Sequence, residues 1–326
     1  VNRTIRQIVF PSQAKASLVT RDVPVRALAD NDVAGATISS VISAGTELGM
    51  QYLSDRDFPH EPGYGAVFRV EEVGKAVTDL IPGAFAFCIG KHQSWQSFPR
   101  DQVVPLPPML DPAEGSIARM IAIAKANLTL CEARPPARVI VSGLGAVGHY
   151  AARLFMLTGY KVAGVDPDRE RRELVGLYGV GTTFAAMPEE HPDWRLAADL
   201  VLECSGDEKA VYDACCTVRP GGEVRLVGVS WRPRHDFPVQ SMLRKIFWRK
   251  ARLHSGWEWE LPWLPAAKGQ GCYRDNVVTI LSDMASGATS VKGLYSTAAP
   301  SDCQTVYDRL CHERTRALST VFVWDT

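Results

Sequence analysis

No run in this sequence approaches the ~20 consecutive apolar residues that a membrane-spanning helix requires. The opening VNRTIRQIVF is too short and too polar for a secretory core, so cytoplasmic residence is the expectation. Net charge is also missing: 36 Lys and Arg balance 36 Asp and Glu, which leaves no overall field to hold a polyanion or an acidic bilayer. Nucleic acid and membrane surfaces are therefore not expected as partners, and a small-molecule substrate is. The cysteines, Cys88, Cys131, Cys204, Cys215, Cys216, Cys272, Cys303 and Cys311, include no CxxC pair, so neither a zinc knuckle nor a dithiol redox centre is written in the chain. Repeats and low-complexity segments are absent too. What is present is an ordinary globular composition, 46% hydrophobic and 22% charged over 326 residues, a length that suits about two domains.

The first hundred or so residues read as short strands. RQIVF, ATISSVIS, AVFRVEEVG and GAFAFCIG alternate with turn formers such as Pro59, Pro62, Gly63, Pro82 and Gly83. From Asp111 the texture becomes helical in PAEGSIARMIAIAKANLTLC, with a proline near its start. In ARVIVSGLGAVGHYAARLFMLTGYKVAGVD an apolar β-branched run, a glycine turn, a helix-length segment and a second apolar run ending in Asp166 make a βαβ unit. Alternation continues through a helix from about Arg169, the strand ADLVLECSG, a helix after Glu208 and the strand GEVRLVGVS, which predicts a parallel sheet covered on both faces. Beyond KARLHSGWEWE the pattern loosens. Helices are expected in NVVTILSDMASG and from Asp302 to Arg314, and a last strand in STVFVW. The expected plan is α/β, with a β-rich domain from residues 1–118 completed by 257–326 and a doubly wound domain from 119–256.

Gly143, Gly145 and Gly148 follow VIVS and open a helix. The first permits a tight turn, the second lets backbone approach a pyrophosphate, and the third allows close helix and strand packing. Ala146 and Val147 lie in the helix start, whose amide groups favour negative charge. Asp166 ends the next strand, about 20 residues on, where a carboxylate accepts hydrogen bonds from adenosine ribose hydroxyls. NAD(H) is favoured on that ground. Arg169, Arg171 and Arg172 are the contrary signal, since guanidinium groups embrace a 2′-phosphate, and they keep NADP(H) as the alternative. Ser205 and Gly206 of ECSG, with Val227, Gly228 and Val229 of LVGVS, fall at the carboxyl ends of later strands, where open α/β sheets bind ligands.

The order of these segments resembles the medium-chain dehydrogenase/reductase superfamily over nearly the whole chain: a GroES-like β domain, the GLGAVG Rossmann unit and a C-terminal return. The resemblance implies a GroES-like catalytic domain beside a Rossmann domain, hydride transfer in the cleft between them, and a homodimer. It also shows departures. Zinc alcohol dehydrogenases of the family carry a CGxD-type segment, a GHE segment further on, and a Cys or Glu near the helix leading into the Rossmann domain. SAGTE puts Ala44 at the first place, PGYGAVFRVEEVG puts Tyr64 and Gly65 at the second, and SIARMIAIAKAN puts Arg119 at the third. Zinc catalysis uses three protein ligands and an open position, which this set does not supply, and Cys88 stands alone where the family's structural zinc lobe has four cysteines. No metal is expected. The ISAGTE and PGY variants are similar to the zinc-independent branch typified by the hydroxyethyl bacteriochlorophyllide dehydrogenases, which oxidise a secondary alcohol with NAD. The implied function is a biosynthetic alcohol dehydrogenase or carbonyl reductase acting on a secondary-metabolite-sized substrate. An imine or activated-alkene reductase and a non-catalytic dinucleotide-binding protein are the alternatives.

Without a metal, side chains must move the alcohol proton. Thr46 aligns with the family's Ser or Thr proton relay. Tyr64 either donates a phenolic hydrogen bond or fills the vacated space, and Arg119 either polarises the substrate oxygen or pairs with Glu47 to stabilise that place as structure. His92 in GKHQSW lies in the loop where family members put substrate-facing residues, although a lone histidine is commonly structural. Trp231, Trp248, Trp257, Trp259 and Trp263 either floor a large flat pocket or serve domain and subunit packing.

Overall fold

The computed structural model describes residues 2–24, 27–236, 238–313 and 316–325. The chain divides into two compact units, residues 1–119 with 274–326, and residues 120–273. The return to the first unit thus comes at 274 rather than at the expected 257. The intervening segment is tied to the second unit: Trp259 and Trp263 pack on Tyr273 with ring centroids 5.0 and 5.8 Å apart, Arg225 reaches Glu260 at 3.4 Å, and Asn127 donates to the Gly256 carbonyl at 3.0 Å.

In the first unit the strands Asn2–Ser12 and Lys15–Pro24 form an antiparallel hairpin. A larger mixed sheet is organised on Asp32–Val41, which pairs along one edge with Ala66–Val73. Its other edge is shared between Trp95–Pro99 at its start and Ser319–Val323 at its end. Phe85–Cys88 and Val104–Pro105 extend the sheet on one side, and Tyr295–Ala298 on the other. One core gathers Phe10, Ile42, Tyr52, Tyr307, Phe322 and Trp324; a second gathers Val33, Phe68, Val70, Leu80, Cys88 and Val103. The chain leaves this unit within the helix Pro112–Leu130 and re-enters it at the start of Tyr273–Ala285. The helix expected from Asp302 runs Cys303–His312, and Arg314 lies outside the described residues.

The second unit holds six parallel strands in the order Thr182–Phe184, Lys161–Val165, Arg138–Ser142, Ala198–Glu203, Val218–Leu226 and Arg252–Ser255. This is the doubly wound Rossmann order, and the strand sequence reverses between Arg138–Ser142 and Ala198–Glu203. The helices Ala146–Leu157, Arg169–Leu177 and Glu208–Thr217 begin where expected, and local chemistry fixes two of those starts. Asp168 accepts from the Glu170 amide, and Asp207 from the Lys209 and Ala210 amides, caps each worth about 1 kcal/mol. A fourth helix, Val239–Arg249, was not among the expected elements, although Val239, Met242, Leu243, Ile246 and Phe247 recur at helical spacing; Val239, Leu243 and Phe247 are exposed while Ile246 packs on the core. Among the described residues no helix is long and apolar enough to cross a membrane.

One core residue gives this unit a pH dependence. His149 is fully buried on Ala146–Leu157 against the edges of Tyr150 and Tyr178, and neither ring nitrogen has a hydrogen-bond partner. Burial, reinforced by the Arg153 guanidinium, pushes it from 6.5 down to about 3. As pH falls the unfolded chain therefore binds the proton first. The stability that the neutral ring permits is intact above about pH 6.5 and is lost toward pH 3, at up to about 1.4 kcal/mol per pH unit. His149→Leu is expected to flatten the acid limb of a urea-midpoint profile, and an unchanged slope would mean that the ring titrates normally.

Candidate functional site

The Rossmann unit builds a glycine cradle at the strand-order reversal. Gly143 leaves the strand Arg138–Ser142 at φ +83°, and a Cβ there would stand 2.6 Å from the Ser205 amide nitrogen. Gly148 is tighter, since its Cβ would lie 1.8 Å from the Gly143 carbonyl oxygen. At Gly145 a Cβ would meet only an Arg171 nitrogen, at 3.5 Å, which leaves the loop's outer side open. Gly145, Ala146 and Val147 are half-buried at the helix start. Asp166 is nearly buried and ties the loop down: one carboxylate oxygen accepts from the Leu144 amide at 2.7 Å, the other from the Asp168 amide at 2.9 Å.

The three arginines after Asp166 separate by role. Arg169 pairs with Glu173 at 2.6 Å on the surface, and Arg172 donates to the Asp166 and Pro167 carbonyls. Arg171 alone faces the carboxylate, 3.8 Å from it. Ser205, Gly206, Val227 and Gly228 gather through a residue that sequence reasoning passed over. The carbonyl of Glu203 accepts from the Val227 and Gly228 amides at 2.8 and 2.7 Å, and its carboxyl accepts from the Ser205 and Gly206 amides at 2.8 and 3.2 Å and from the Ser205 hydroxyl. Burial pushes that carboxyl up to about 7 against those donors. An acid ending the apolar run LVL of ADLVLE was the available signal. Val229 lies half open beyond this cluster. Of the tryptophans, Trp259 and Trp263 serve packing on Tyr273, whereas Trp231, Trp248 and Trp257 are exposed.

The first unit brings Thr46, Tyr64 and Arg119 together. Thr46 ends the short turn Ala44–Thr46, which continues as the π-helical turn Glu47–Tyr52. The Tyr64 hydroxyl bonds to the Ser43 hydroxyl and, at 3.1 Å, to that of Thr46. Arg119 is buried; its guanidinium carbon lies 4.2 Å from the centre of the Tyr64 ring, and its Nε donates to the Tyr64 carbonyl at 3.2 Å. Gly65 is what admits the arginine, because a Cβ there would stand 2.8 Å from the Arg119 Cβ.

Of the alternatives for Glu47 and His92, the pair with Arg119 does not form and the structural histidine does. Glu47 does not pair with Arg119; its carboxylate accepts from the Ser43 amide at 2.8 Å, from His92 Nε2 at 3.2 Å and from the Tyr307 hydroxyl. His92 is fully buried rather than substrate-facing, with Nδ1 2.8 Å from the Ser40 hydroxyl, which also accepts from the Trp324 indole at 3.0 Å. Burial, then the Glu47 carboxylate, holds the Tyr307 phenol well above the usual tyrosine range. Ser40, Ser43 and Tyr307 had no sequence signal, because their partners come from segments up to 284 residues apart.

The residues at the family's zinc positions do not fit a metal. Ala44 has no donor, and the cation already over Tyr64 is a guanidinium, which cannot ligate. Among the described residues one set of three metal-type side chains, Asp207, Glu208 and His235, brings donor atoms within 4.8 Å of one another, and it belongs to the Rossmann unit.

Comparison with known proteins agrees with this architecture. Residues 146–254 match the family described as zinc-binding dehydrogenase. A probable D-xylulose reductase A of Arthroderma otae is 26% identical over 180 residues, covering 51% of this chain and 50% of the relative. The chain thus matches about half the length of that curated relative. Among solved structures, galactitol-1-phosphate dehydrogenase from Escherichia coli aligns over 98% of this chain and 99% of its own, with TM-score 0.81 and 17% identity. A putative zinc-binding dehydrogenase from Sinorhizobium meliloti bound to NADP aligns over 98% and 99%, with TM-score 0.75 and 17% identity. Acetophenone reductase from Geotrichum candidum in complex with NAD aligns over 99% and 98%, with TM-score 0.76 and 15% identity. These findings show the α/β fold of such dehydrogenases, and the family match lies within the second unit.

Proposed function

We propose that the chain is a nicotinamide-dependent oxidoreductase of the medium-chain superfamily that works without zinc on the secondary alcohol or ketone of a secondary-metabolite-sized substrate. The observation that carries the reading is the cradle of Gly143, Gly145 and Gly148 closed by Asp166. It fits a dinucleotide: Gly145 and the helix start would take the pyrophosphate, and Asp166 the ribose hydroxyls. When bound, a nicotinamide supplies the hydride chemistry. Asp166 favours NAD(H), because its carboxylate repels a 2′-phosphate, against the Arg171 guanidinium 3.8 Å away.

Thr46 and Tyr64 are the proton-handling pair, half-buried and hydrogen-bonded to each other. His92 and Glu47 hold the turn that carries Thr46. Among the described residues no set of three metal-type side chains gathers at the phenol, which also suits reduction of an imine or activated alkene, a reaction that needs an acid rather than a Lewis acid. Product analysis with deuterated cofactor separates the two. A homodimer of cytoplasmic location accompanies the proposal.

Elemental analysis of protein purified without chelator, paired with NADH and NADPH titrations followed by fluorescence, tests the core of this reading. No stoichiometric zinc and NADH binding at least about tenfold tighter than NADPH, about 1.4 kcal/mol, are expected. Stoichiometric zinc would overturn the side-chain mechanism. Tighter NADPH would mean that Arg171 outweighs Asp166, and binding of neither would remove the oxidoreductase reading.

A further inference from the structure

The place that holds zinc in related dehydrogenases is filled here by a different device. We propose that Tyr64 is a phenolic acid and base, made more acidic by the Arg119 guanidinium on its ring and by the Ser43 and Thr46 hydroxyls at its oxygen, so that Arg119 and Ser43 act through Tyr64 rather than on substrate.

The geometry has three parts. A cation 4.2 Å from the ring centre stabilises a phenolate more than a phenol, and burial of Arg119 keeps water from screening it. The Arg119 bond from Nε to the Tyr64 carbonyl, with the close approach at Gly65, fixes the guanidinium over the ring. At the oxygen, two hydroxyls stand ready, and a phenolate would take a hydrogen bond from each, where the phenol can accept from only one while donating to the other.

The Ser43 backbone is held in place. Its amide is bound by the Glu47 carboxylate at 2.8 Å, and that carboxylate is itself held by His92 and Tyr307. The charged and titratable groups near Tyr64 in this unit include Arg119 from the helix Pro112–Leu130 and, bound to the Ser43 amide, Glu47 with His92 and Tyr307. Glu47 opposes the effect, but its carboxylate is bound by three donors, and the guanidinium lies directly on the ring through its bond to the Tyr64 carbonyl.

The catalytic meaning rests on the hydride-transfer reading above. With a nicotinamide bound, which would accept or supply the hydride, Tyr64 as phenolate would take the hydroxyl proton of an alcohol being oxidised, and Tyr64 as phenol would return it to the oxygen of a carbonyl being reduced. No metal is needed in either direction.

The test reads the phenol itself on the full chain, free of substrate and cofactor, so its failure leaves the cofactor reading standing. Tyrosinate absorbance is followed from neutral to alkaline pH in the native chain and in Tyr64→Phe, and the difference isolates Tyr64. The expected midpoint is at least one unit below the ordinary value of about 10, or about tenfold more tyrosinate at a given pH. Arg119→Met is expected to move it up by about one unit while Arg119→Lys keeps most of the shift, an outcome that loss of packing alone does not give. Should Arg119→Met fail to fold, Ser43→Ala is expected to raise the midpoint as well, by removing one donor to the phenolate. A midpoint at or above about 10, or one that neither Arg119→Lys nor Ser43→Ala distinguishes from the native chain when Arg119→Met is also inert, overturns the proposal. A midpoint that rises on chelator treatment overturns it too, because a metal would then be the cation.

Discussion

Gly148→Ala is expected to abolish measurable NADH binding and to lower thermal stability at the same time. An added Cβ would sit 1.8 Å from the Gly143 carbonyl oxygen and 2.9 Å from its carbon, so backbone rather than a side-chain tip must move. Gly143 cannot yield easily: it is held at φ +83° with the Ser205 backbone against it, and its amide donates to the Val165 carbonyl at 2.7 Å. Helix and loop must therefore part, at a cost of about 1–3 kcal/mol or more for overpacking, and the loop that should receive a pyrophosphate loses its shape. NADH affinity should fall at least about 100-fold, or about 2.7 kcal/mol. Gly145→Ala is the informative contrast. Its Cβ meets nothing but an arginine nitrogen at 3.5 Å, so thermal stability should be kept while NADH binding weakens, because the lost feature is backbone approach to the ligand. Calorimetric titration and thermal melts of both variants decide the matter. Normal NADH binding by Gly148→Ala would mean that this loop is not a dinucleotide cradle.

The cradle was legible because it is local. Gly143, Gly145, Gly148 and Asp166 lie within one βαβ unit, and backbone conformation dictates the residue type at each place. The strands that built the first expectation were legible for a similar reason, since alternation and turn formers act over a few residues. Two strands of the first unit, Lys15–Pro24 and Trp95–Pro99, carried no such pattern and exist through their pairing with Asn2–Ser12 and Asp32–Val41. The helix Val239–Arg249 carries the helical period in Val239, Met242, Leu243, Ile246 and Phe247, so its apolar face was legible although it was not among the expected elements. In the second half of the site the residue types were legible but their pairing was not. Thr46, Tyr64 and Arg119 do meet, yet of the two readings of Arg119 the pair with Glu47 is not the one formed, because a carboxylate's choice among His92, Tyr307 and Arg119 depends on where a loop and helices far apart in the chain converge.

Glu47→Ala is expected to be the most destabilising single change in the first unit. Its carboxylate is fully buried and holds the Ser43 amide, His92 Nε2 and the Tyr307 hydroxyl. Alanine would leave all three donors buried without an acceptor, and each unsatisfied group costs about 1–3 kcal/mol before relaxation. Breaking such a network by removing its charged member typically costs about 3–5 kcal/mol, and a large fall in the urea midpoint should report it. Glu47→Gln should cost less, because one amide oxygen still accepts while its NH2 meets groups that are themselves donors. Tyr307→Phe removes one donor and no acceptor, so the network keeps its charge balance and the loss should be about 1 kcal/mol. Combining Glu47→Ala with Tyr307→Phe should then cost less than the sum, since the double variant no longer buries an orphaned phenol. Additive losses would mean that Glu47 and Tyr307 are not coupled. Because the same carboxylate fixes Ser43, the Tyr64 titration should also move in Glu47→Gln, and that joint response in stability and in the phenol is what distinguishes a supported proton-handling site from an ordinary buried acid.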